Sequence, residues 1–345
     1  MPVTRIRPRA AIAVLFCIEA ALAGGACIGL DPCQPAAPGQ SLTCPMSGWL
    51  DRPFDLFVPA GWDGAAPLPV IYAIHGGGGN HTATNKLTCP GGNLGDPGCL
   101  VAKANAAGYA VVVPNGTGTR PIRNVRTWNA GGGQDGWLCV SGAACRAGVD
   151  DMRYFDDLHA EIGRLLPVDA ARIYATGISN GGAMTHRLAC AWSTRLAAAA
   201  PVAGANQHAA AGGACAGGTP VLQIHGTADP CWRFEESTAT CATLEEGRKA
   251  GVTPTMDAWR ARNGCQDAPA TVVDMPDVDP SDATTSRRES FVGCAADVEL
   301  IRIEGGGHTW PQGDPYLPTD VVGPVARDFD ADDVILEFFG GHVRP

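Results

Sequence analysis

The sequence predicts an α/β fold, with a mostly parallel sheet, helices on both faces and loops braced by disulfides. Short apolar runs bounded by glycine or proline alternate with helical patterns, and several runs are apolar on successive residues. Strands covered on both faces need apolar side chains on both faces, which is typical of parallel sheets. With 345 residues, of which 45% are hydrophobic and 17% charged, the chain can bury a large core.

Six apolar runs are predicted strands, and each is followed by turn residues or a helical segment. The clearest helix carries Phe155, Leu158 and Ile162 on one face and ends before Pro167. Alternating strands and helices favour βαβ units, whose active sites lie at the carboxyl ends of the strands. The predicted strands are 54–58, 70–74, 109–113, 172–176, 221–225 and 298–303, the helices 150–166, 182–192, 254–263 and 331–339, and the irregular loops 82–98, 116–148 and 267–288.

The first 26 residues have the pattern of a signal peptide. Arg5, Arg7 and Arg9 precede an apolar run over 10–18 and then small residues. That run is shorter than the roughly 20 residues of a spanning helix, so we predict cleavage after Ala23 or Ala26 rather than a membrane anchor. The mature protein, 27–345, is then a single catalytic domain that is secreted, either extracellular or periplasmic. Lipidation of Cys27 stays an alternative.

The charge of the chain indicates which partners suit it. The formal net charge is −10, which gives no electrostatic reason to bind nucleic acid or an anionic membrane. We therefore expect no nucleic-acid partner and no membrane contact after signal cleavage. Neutral or apolar substrates fit better.

Twelve cysteines follow Cys27, and each lies close in sequence to another cysteine. Exported proteins meet oxidising conditions, so we predict disulfides, although the sequence alone does not fix their connectivity. No C-x-x-C pair or matching histidine set favours zinc, and we expect no metal. The neighbour pairing hypothesis joins 33 with 44, 89 with 99, 139 with 145, 190 with 215, 231 with 241, and 265 with 294.

Ser179 lies in a G-x-S-x-G motif, Gly177-Ile178-Ser179-Asn180-Gly181, between a predicted strand and a predicted helix. This is the pattern of a nucleophile elbow, in which serine occupies a strained turn and the flanking positions lack side chains so that strand and helix can pass closely. Ser179 is therefore the predicted nucleophile.

A serine nucleophile needs a base and a group that orients the base. Asp229 in "HGTADP" and His308 in "GGGHTWP" follow two later strands, so the chain order is Ser, Asp, His. Each alone suits a turn or solvated-loop residue, but three correct types at three strand ends predict a triad. His75 and His225 also follow strands, but both precede Asp229, which favours supporting hydrogen bonds.

The glycine-rich stretch after the second predicted strand, "HGGGGN", indicates an oxyanion site. We assign its donors to the backbone N–H groups of Gly77 and Asn180, because glycine exposes amides without an obstructing Cβ. A flexible turn is the alternative. Trp128 and Trp310 are candidates for the walls of the substrate site, with core packing the stronger alternative for Trp128.

These motifs, with "FDLFVPAGWDG", "RTWNAGGG" and "GVDDMRYFDDLHAEI", resemble blocks of the polyhydroxybutyrate depolymerases and the feruloyl or acetylxylan esterases over about 54–311. The resemblance implies an α/β-hydrolase fold and a two-step acyl transfer without metal or organic cofactor. It also implies the roles of Ser179, Asp229 and His308. Many relatives carry cysteine where Gly77 stands, but a backbone amide performs the same role.

The resulting prediction is a serine esterase that acts on a small-molecule or polymeric ester, with feruloyl or acetyl esters of plant cell-wall polysaccharide favoured. A polyhydroxybutyrate (polyhydroxyalkanoate) depolymerase or oligomer hydrolase is the alternative within this class. A secreted, non-catalytic binding protein on a hydrolase scaffold is the alternative of another class, since a fold does not compel a function.

Overall fold

The structure, a computed structural model, describes residues 32–49, 51–120, 125–140, 142–238 and 247–345. The predicted signal peptide lies outside the described residues. Among the helices that are described, none is both long and apolar enough to cross a bilayer.

The described part of the chain contains twelve strands and nine α-helices, with one 3₁₀ turn at Pro90–Gly92. The strands are β1 (Ser41–Cys44), β2 (Phe54–Phe57), β3 (Leu68–Ile74), β4 (Ala110–Val113), β5 (Thr117–Arg120), β6 (Val125–Thr127), β7 (Val168–Ile178), β8 (Ala198–Val202), β9 (Val221–Gly226), β10 (Thr271–Asp274), β11 (Thr285–Ser290) and β12 (Val298–Glu304). The helices are α1 (His81–Leu87), α2 (Leu100–Ala106), α3 (Ala143–Arg146), α4 (Asp151–Leu165), α5 (Asn180–Ala191), α6 (Gln207–Ala210), α7 (Val252–Arg262), α8 (Thr319–Val322) and α9 (Ala331–Gly340).

Ten of these strands form one sheet in the order β1-β2-β4-β3-β7-β8-β9-β12-β11-β10. The six central strands, from β4 to β12, are parallel, and antiparallel pairs complete both edges. The carboxyl ends of β3, β7, β9 and β12 therefore meet at one edge of the sheet. This arrangement confirms the predicted α/β-hydrolase fold.

The core lies on both faces of the sheet, as the successive apolar residues predict. In β3, Val70 and Tyr72 pack in one buried cluster, whereas Ile71 and Ala73 pack in the other. Helices α4, α5 and α7 cover the first face, and α2 and α9 cover the second. Because β3 is buried on both faces, its sequence does not alternate between polar and apolar residues.

Several elements differ from the prediction. The alanine-rich β8 was not predicted because alanine has low strand propensity, yet all five of its residues are buried between β7 and β9. The predicted loop 267–288 contains β10 and the start of β11, which pair as a hairpin at the sheet edge. The predicted loop 82–98 contains most of α1, which begins where the Asn80 side chain accepts from the Ala83 N–H.

Five of the six neighbouring cysteine pairs form disulfides: Cys33–Cys44, Cys89–Cys99, Cys139–Cys145, Cys190–Cys215 and Cys265–Cys294. Cys231 is also disulfide-bonded. Position 241, its predicted partner, lies outside the described residues. The disulfide-braced loops that the sequence predicts are therefore confirmed for these five pairs.

Candidate active site

Ser179 occupies a strained turn between β7 and α5. Its backbone has φ 59° and ψ −121°, a left-handed conformation that is rare for a residue with a side chain. The Ser179 N–H donates to the Val202 carbonyl at 2.9 Å, which ties the turn to the end of β8. The side chain is thereby presented at the carboxyl edge of the sheet, as a nucleophile elbow requires.

The glycines around Ser179 are required by close backbone contacts. A Cβ at Gly177 would lie 2.6 Å from the Ile74 carbonyl oxygen, and one at Gly181 would overlap the same atom. A Cβ at Gly182 would lie 2.6 Å from the Val202 carbonyl oxygen. The sequence interpretation, that backbone approach rather than packing selects these glycines, is confirmed.

The predicted oxyanion donors lie beside Ser179. A Cβ built at Gly76 would be 3.4 Å from the Cβ of Ser179, so the glycine-rich loop runs directly past the nucleophile. Gly77 lines the cavity at Ser179, and Asn180 is the first residue of α5, where backbone N–H groups have no helical partner. Within the described residues, neither of these two N–H groups donates a hydrogen bond. Both amides are therefore free to receive a negatively charged oxygen.

Trp128 is not a wall of the substrate site, and that prediction is wrong. Its side chain is fully buried, and its indole N–H donates to the His75 carbonyl at 3.0 Å. The Trp128 N–H donates to Asn180 Oδ1 at 2.7 Å, and Asn180 Nδ2 donates back to the Trp128 carbonyl at 3.1 Å. Trp128 thus connects the glycine-rich loop to the start of α5, which fixes the two predicted oxyanion donors relative to each other.

His75 supports the same loop. Its Nε2 accepts from the Gly116 N–H at 2.9 Å, which leaves the ring proton on Nδ1, 2.8 Å from the Gly76 carbonyl. Burial lowers the pKa of His75 to about 3, so the ring is neutral at neutral pH. The supporting role that chain order indicated for His75 fits these contacts.

Asp229 and His308 are joined at the same edge of the sheet. Asp229 follows β9, His308 follows β12, and His308 Nδ1 lies 2.7 Å from Asp229 Oδ2. The other oxygen of Asp229 accepts the N–H groups of Cys231 and Trp232, each at 2.7 Å. The aspartate is held from both sides and orients the imidazole.

His225 donates to the same carboxylate oxygen. Its Nε2 lies 3.2 Å from Asp229 Oδ2 and 2.7 Å from the Trp232 carbonyl oxygen. Burial alone would raise the pKa of Asp229, but the positive charge of protonated His308 and the hydrogen bonds from His225 and His308 outweigh it and lower that pKa. Asp229 is therefore ionised at any pH where the protein is expected to work.

The structure brings Asp229 and His308 into contact, but it does not join His308 to Ser179 by a hydrogen bond. Across the described part of the chain, His308 Nε2 makes no hydrogen bond. Catalytic hydrogen bonds are often long in unliganded enzymes and tighten when substrate binds. His308 Nε2 is thus the ring atom left to exchange a proton with Ser179.

A cavity of about 350 Å³ opens beside Ser179. Apart from the glycine-rich loop, its lining is mainly apolar, and Tyr316 and Leu317 contribute side chains that sequence analysis did not single out. The Tyr316 hydroxyl donates to the His308 carbonyl at 3.3 Å. No motif marked these two residues, because they lie in an irregular segment before α8. The other apolar side chains of the lining are Ala83, Leu87 and Ile178.

Trp310 is also absent from this lining, and its predicted place at the substrate wall is wrong. Only 3% of it is exposed, and its indole N–H donates to Asp332 Oδ1 at 2.9 Å. The two-residue spacing from His308 directs the side chain into the core beside α9 instead of the cavity.

Asp229, Cys231 and His308 place three ligand-type atoms within 4.8 Å of one another. However, the Cys231 sulfur is already in a disulfide bond and cannot act as a thiolate ligand. The remaining two groups satisfy each other. We assign no metal to this cluster.

Comparison with known proteins gives relatives that are esterases by name. No family model matches the chain. "Putative esterase NocK" of Nocardia uniformis subsp. tsuyamanensis is 35% identical over 50% of this chain, which spans about half (52%) of that relative. Feruloyl esterase C of Emericella nidulans is 28% identical over 76% of this chain and 78% of its own length.

Among solved structures, the acetyl xylan esterase from Aspergillus awamori superposes with a TM-score of 0.50 at 16% identity, over 87% of this chain and 98% of that one. At this identity the likeness concerns the fold alone. The curated relatives confirm the resemblance to feruloyl esterases that the sequence motifs indicated.

Proposed function

We propose that this chain, which belongs to the α/β-hydrolase esterases of the feruloyl and acetylxylan esterase type, hydrolyses esters of hydroxycinnamic acids on plant cell-wall polysaccharide. The chain is a carboxylic ester hydrolase. In the proposed assignment Ser179 is the nucleophile, His308 the general base and acid, Asp229 the group that orients His308, and the N–H groups of Gly77 and Asn180 the oxyanion donors.

The reaction runs in two steps. His308 Nε2 takes the proton of Ser179 while Oγ attacks the ester carbonyl, and the two backbone N–H groups bind the oxyanion. The tetrahedral intermediate collapses when His308 returns the proton to the leaving alcohol. Water then attacks the acyl-enzyme with His308 again as the base, and the carboxylic acid leaves.

One observation supports this mechanism above the others. The 2.7 Å bond from His308 Nδ1 to Asp229 Oδ2 lies at the sheet edge where Ser179 occupies its strained turn. An aspartate that accepts on Nδ1 sets the tautomer in which Nε2 is free to act as a base. A non-catalytic binding protein would have no need of this combination.

The cavity favours an aromatic acyl group. Its volume of about 350 Å³ is within the range of small-molecule sites, about 300–1,000 Å³, and an acetyl group would leave most of it empty. Leu87, Tyr316 and Leu317 offer apolar surface to a planar ring, and the lining carries no charged side chain among the described residues. A neutral hydroxycinnamoyl group matches both properties.

Export supports a cell-wall substrate. The five disulfides suit an oxidising compartment, and we propose that 1–26 is a signal peptide and that 27–345 is the mature, secreted catalytic domain. A secreted esterase meets polysaccharide esters outside the cell.

The test combines a nucleophile variant with a substrate panel. Ser179→Ala should reduce turnover of methyl ferulate by at least about 10³-fold, because serine triads fail when the nucleophile is removed. Ser193→Ala, at a serine outside the cavity, should retain activity. Fluorophosphonate should label wild type and the Ser193 variant but not the Ser179 variant.

The panel compares methyl ferulate, acetylated xylan and a hydroxybutyrate oligomer. We expect the highest kcat/KM for methyl ferulate. Preference for the oligomer would move the assignment to polyester hydrolysis, and full activity of Ser179→Ala would refute the triad.

A further inference from the structure

Six buried side chains form one continuous line of hydrogen bonds that reaches the carboxylate of Asp229. Each is at most 3% exposed, and the line crosses from α7 through α5 and β9 to the active edge. In order, the buried line consists of Trp259, His186, Gln223, His225, Asp229 and His308.

The direction of the line is set at its far end by Trp259. An indole N–H can only donate, and Trp259 Nε1 lies 3.1 Å from His186 Nδ1. The accepting nitrogen carries no proton, so the ring proton of a neutral His186 is on Nε2, 2.8 Å from Gln223 Oε1. Burial lowers the pKa of His186 to about 4, which keeps this ring neutral at neutral pH.

The orientation of the Gln223 side-chain amide fixes the tautomer of His225. Because its oxygen accepts from His186, its amide nitrogen faces His225 Nδ1, at 3.1 Å. An amide NH₂ can only donate, so His225 Nδ1 carries no proton and the ring proton is on Nε2. That proton points at the Trp232 carbonyl and Asp229 Oδ2.

We propose that Trp259, His186 and Gln223 are positioning residues that hold His225 as the neutral Nε2–H tautomer. The negative charge of Asp229 is then paired with the imidazolium of His308 alone. This rests on the proposed function of the triad. If His225 became an imidazolium, it would share the carboxylate charge and place a second cation beside His308. The donor-only amide of Gln223 opposes that protonation, because it offers no acceptor to a second ring proton.

Neighbouring groups do not replace Gln223 in this role. Within the described residues, the hydrogen bond to His225 Nδ1 comes from Gln223. Lys249 donates to the Cys231 carbonyl at 2.5 Å, and Tyr316 donates to the His308 carbonyl. Arg302, opposite His225 on β12, places its guanidinium over Phe234, and Arg262 is near His186.

The first test reads the tautomers directly. Nitrogen-15 NMR of the whole protein, labelled at histidine and recorded at about pH 8, should show the Nε2–H tautomer for both His186 and His225. The Gly204 backbone also lies beside His186, so the tautomer of this ring is measured and not taken from the contact with Trp259 alone. An Nδ1–H signal from the neutral ring of either His186 or His225 would overturn the proposal.

The second test changes the line without touching the triad. Gln223→Glu supplies an acceptor to both histidines, so His225 should become doubly protonated. We expect kcat for methyl ferulate to fall about tenfold while KM stays within about twofold. The acid limb of the kcat profile should move to lower pH, because a second cation disfavours protonation of His308.

Trp259→Phe removes the donor at the far end and should mix the His186 tautomers, with a smaller loss of kcat. Trp192→Phe is the matched control, because it deletes another indole hydrogen bond, 2.9 Å to Asp156, from a buried tryptophan of the same core cluster. The control should leave the tautomers and the pH profile unchanged.

The outcomes separate this inference from the proposed function. If Ser179→Ala is inactive while Gln223→Glu and Trp259→Phe leave tautomers and pH profile as in wild type, only the positioning role fails. If Ser179→Ala stays active, the triad fails, and the NMR signals still report whether the line fixes the tautomers. A variant that does not fold leaves the wild-type spectra to decide.

Discussion

Asp229 and Asp332 are the same residue type and equally buried, at 3% and 1% exposure, yet their surroundings move their pKa values in opposite directions. Asp229 accepts from two backbone N–H groups and lies against two histidines, and its pKa is lowered in spite of burial. Asp332 has the indole of Trp310 as a donor and acidic neighbours, so burial and the charge of Asp330 raise its pKa well above the usual range.

The difference shows that, between two equally buried carboxyls, the surrounding charges and hydrogen-bond donors decide the direction of the pKa shift. At the active edge, parallel strands end together and deliver N–H groups and imidazoles from separate loops to one carboxylate. At the start of α9, the chain instead places Asp330, Asp332 and Asp333 within four residues. The first carboxyl is suited to orient a base, whereas the surroundings of the second disfavour its charged form.

The largest expected effect comes from Asp229→Asn. An amide cannot stabilise the His308 imidazolium and can donate to Nδ1, which favours the wrong tautomer. We expect kcat to fall by about 10³–10⁴-fold. Steady-state kinetics with methyl ferulate measures this loss, and a decrease below about tenfold would contradict the role of Asp229.

The second effect concerns Lys249, the buried ammonium beside Asp229. Burial lowers the pKa of Lys249 from 10.5 to about 8, so above pH 8 the unfolded chain binds more protons than the folded protein. Stability should therefore rise by about 1.4 kcal/mol per pH unit from about pH 8 towards pH 10 through this group.

Lys249→Met should lose that rise. Urea unfolding of both proteins at several alkaline pH values measures the difference between their free energies of unfolding. A difference that does not depend on pH would show that Lys249 is not a buried cation in the folded state.

The smallest effect is expected for Asp332→Asn. The folded-state pKa of Asp332 is raised, so its stability contribution is complete below the unfolded pKa and declines as pH rises through the folded pKa. Asparagine can still accept from Trp310 and has no such decline. At neutral pH we expect the free energy of unfolding of Asp332→Asn to exceed that of wild type. A typical point substitution instead lowers the free energy of unfolding by about 1 kcal/mol.

Activity of Asp332→Asn should stay within about twofold of wild type, because the residue does not contact the triad. This variant is thus the control for Asp229→Asn. Destabilisation with a pH profile unlike that described would mean that Asp332 is ionised, and the contrast with Asp229 would disappear.

Much of the active edge was predictable because the signals are local. The elbow at Ser179 depends on a contiguous strand, turn and helix, and its glycines are dictated by carbonyl oxygens of adjacent strands. The positions of Asp229 and His308 followed from the rule that parallel strands end at one edge. The placement of Trp310 was not predictable, because an aromatic residue near a motif is suited both to a core and to a cavity wall. For Trp128, the structure shows the core packing that was the stronger alternative.

The sequence by itself determined the parallel sheet, the elbow and the order of the three candidate catalytic residues, because each depends on neighbours in the chain or on strand order. The pairing of neighbouring cysteines was a hypothesis, which the structure confirmed for five pairs. Only the tertiary structure decided that β8 is a central strand, that Tyr316 and Leu317 line the cavity, and that a line of hydrogen bonds from Trp259 ends at Asp229. The physical reason is that burial, proton position and charge depend on contacts between residues far apart in sequence, and no local pattern encodes those contacts.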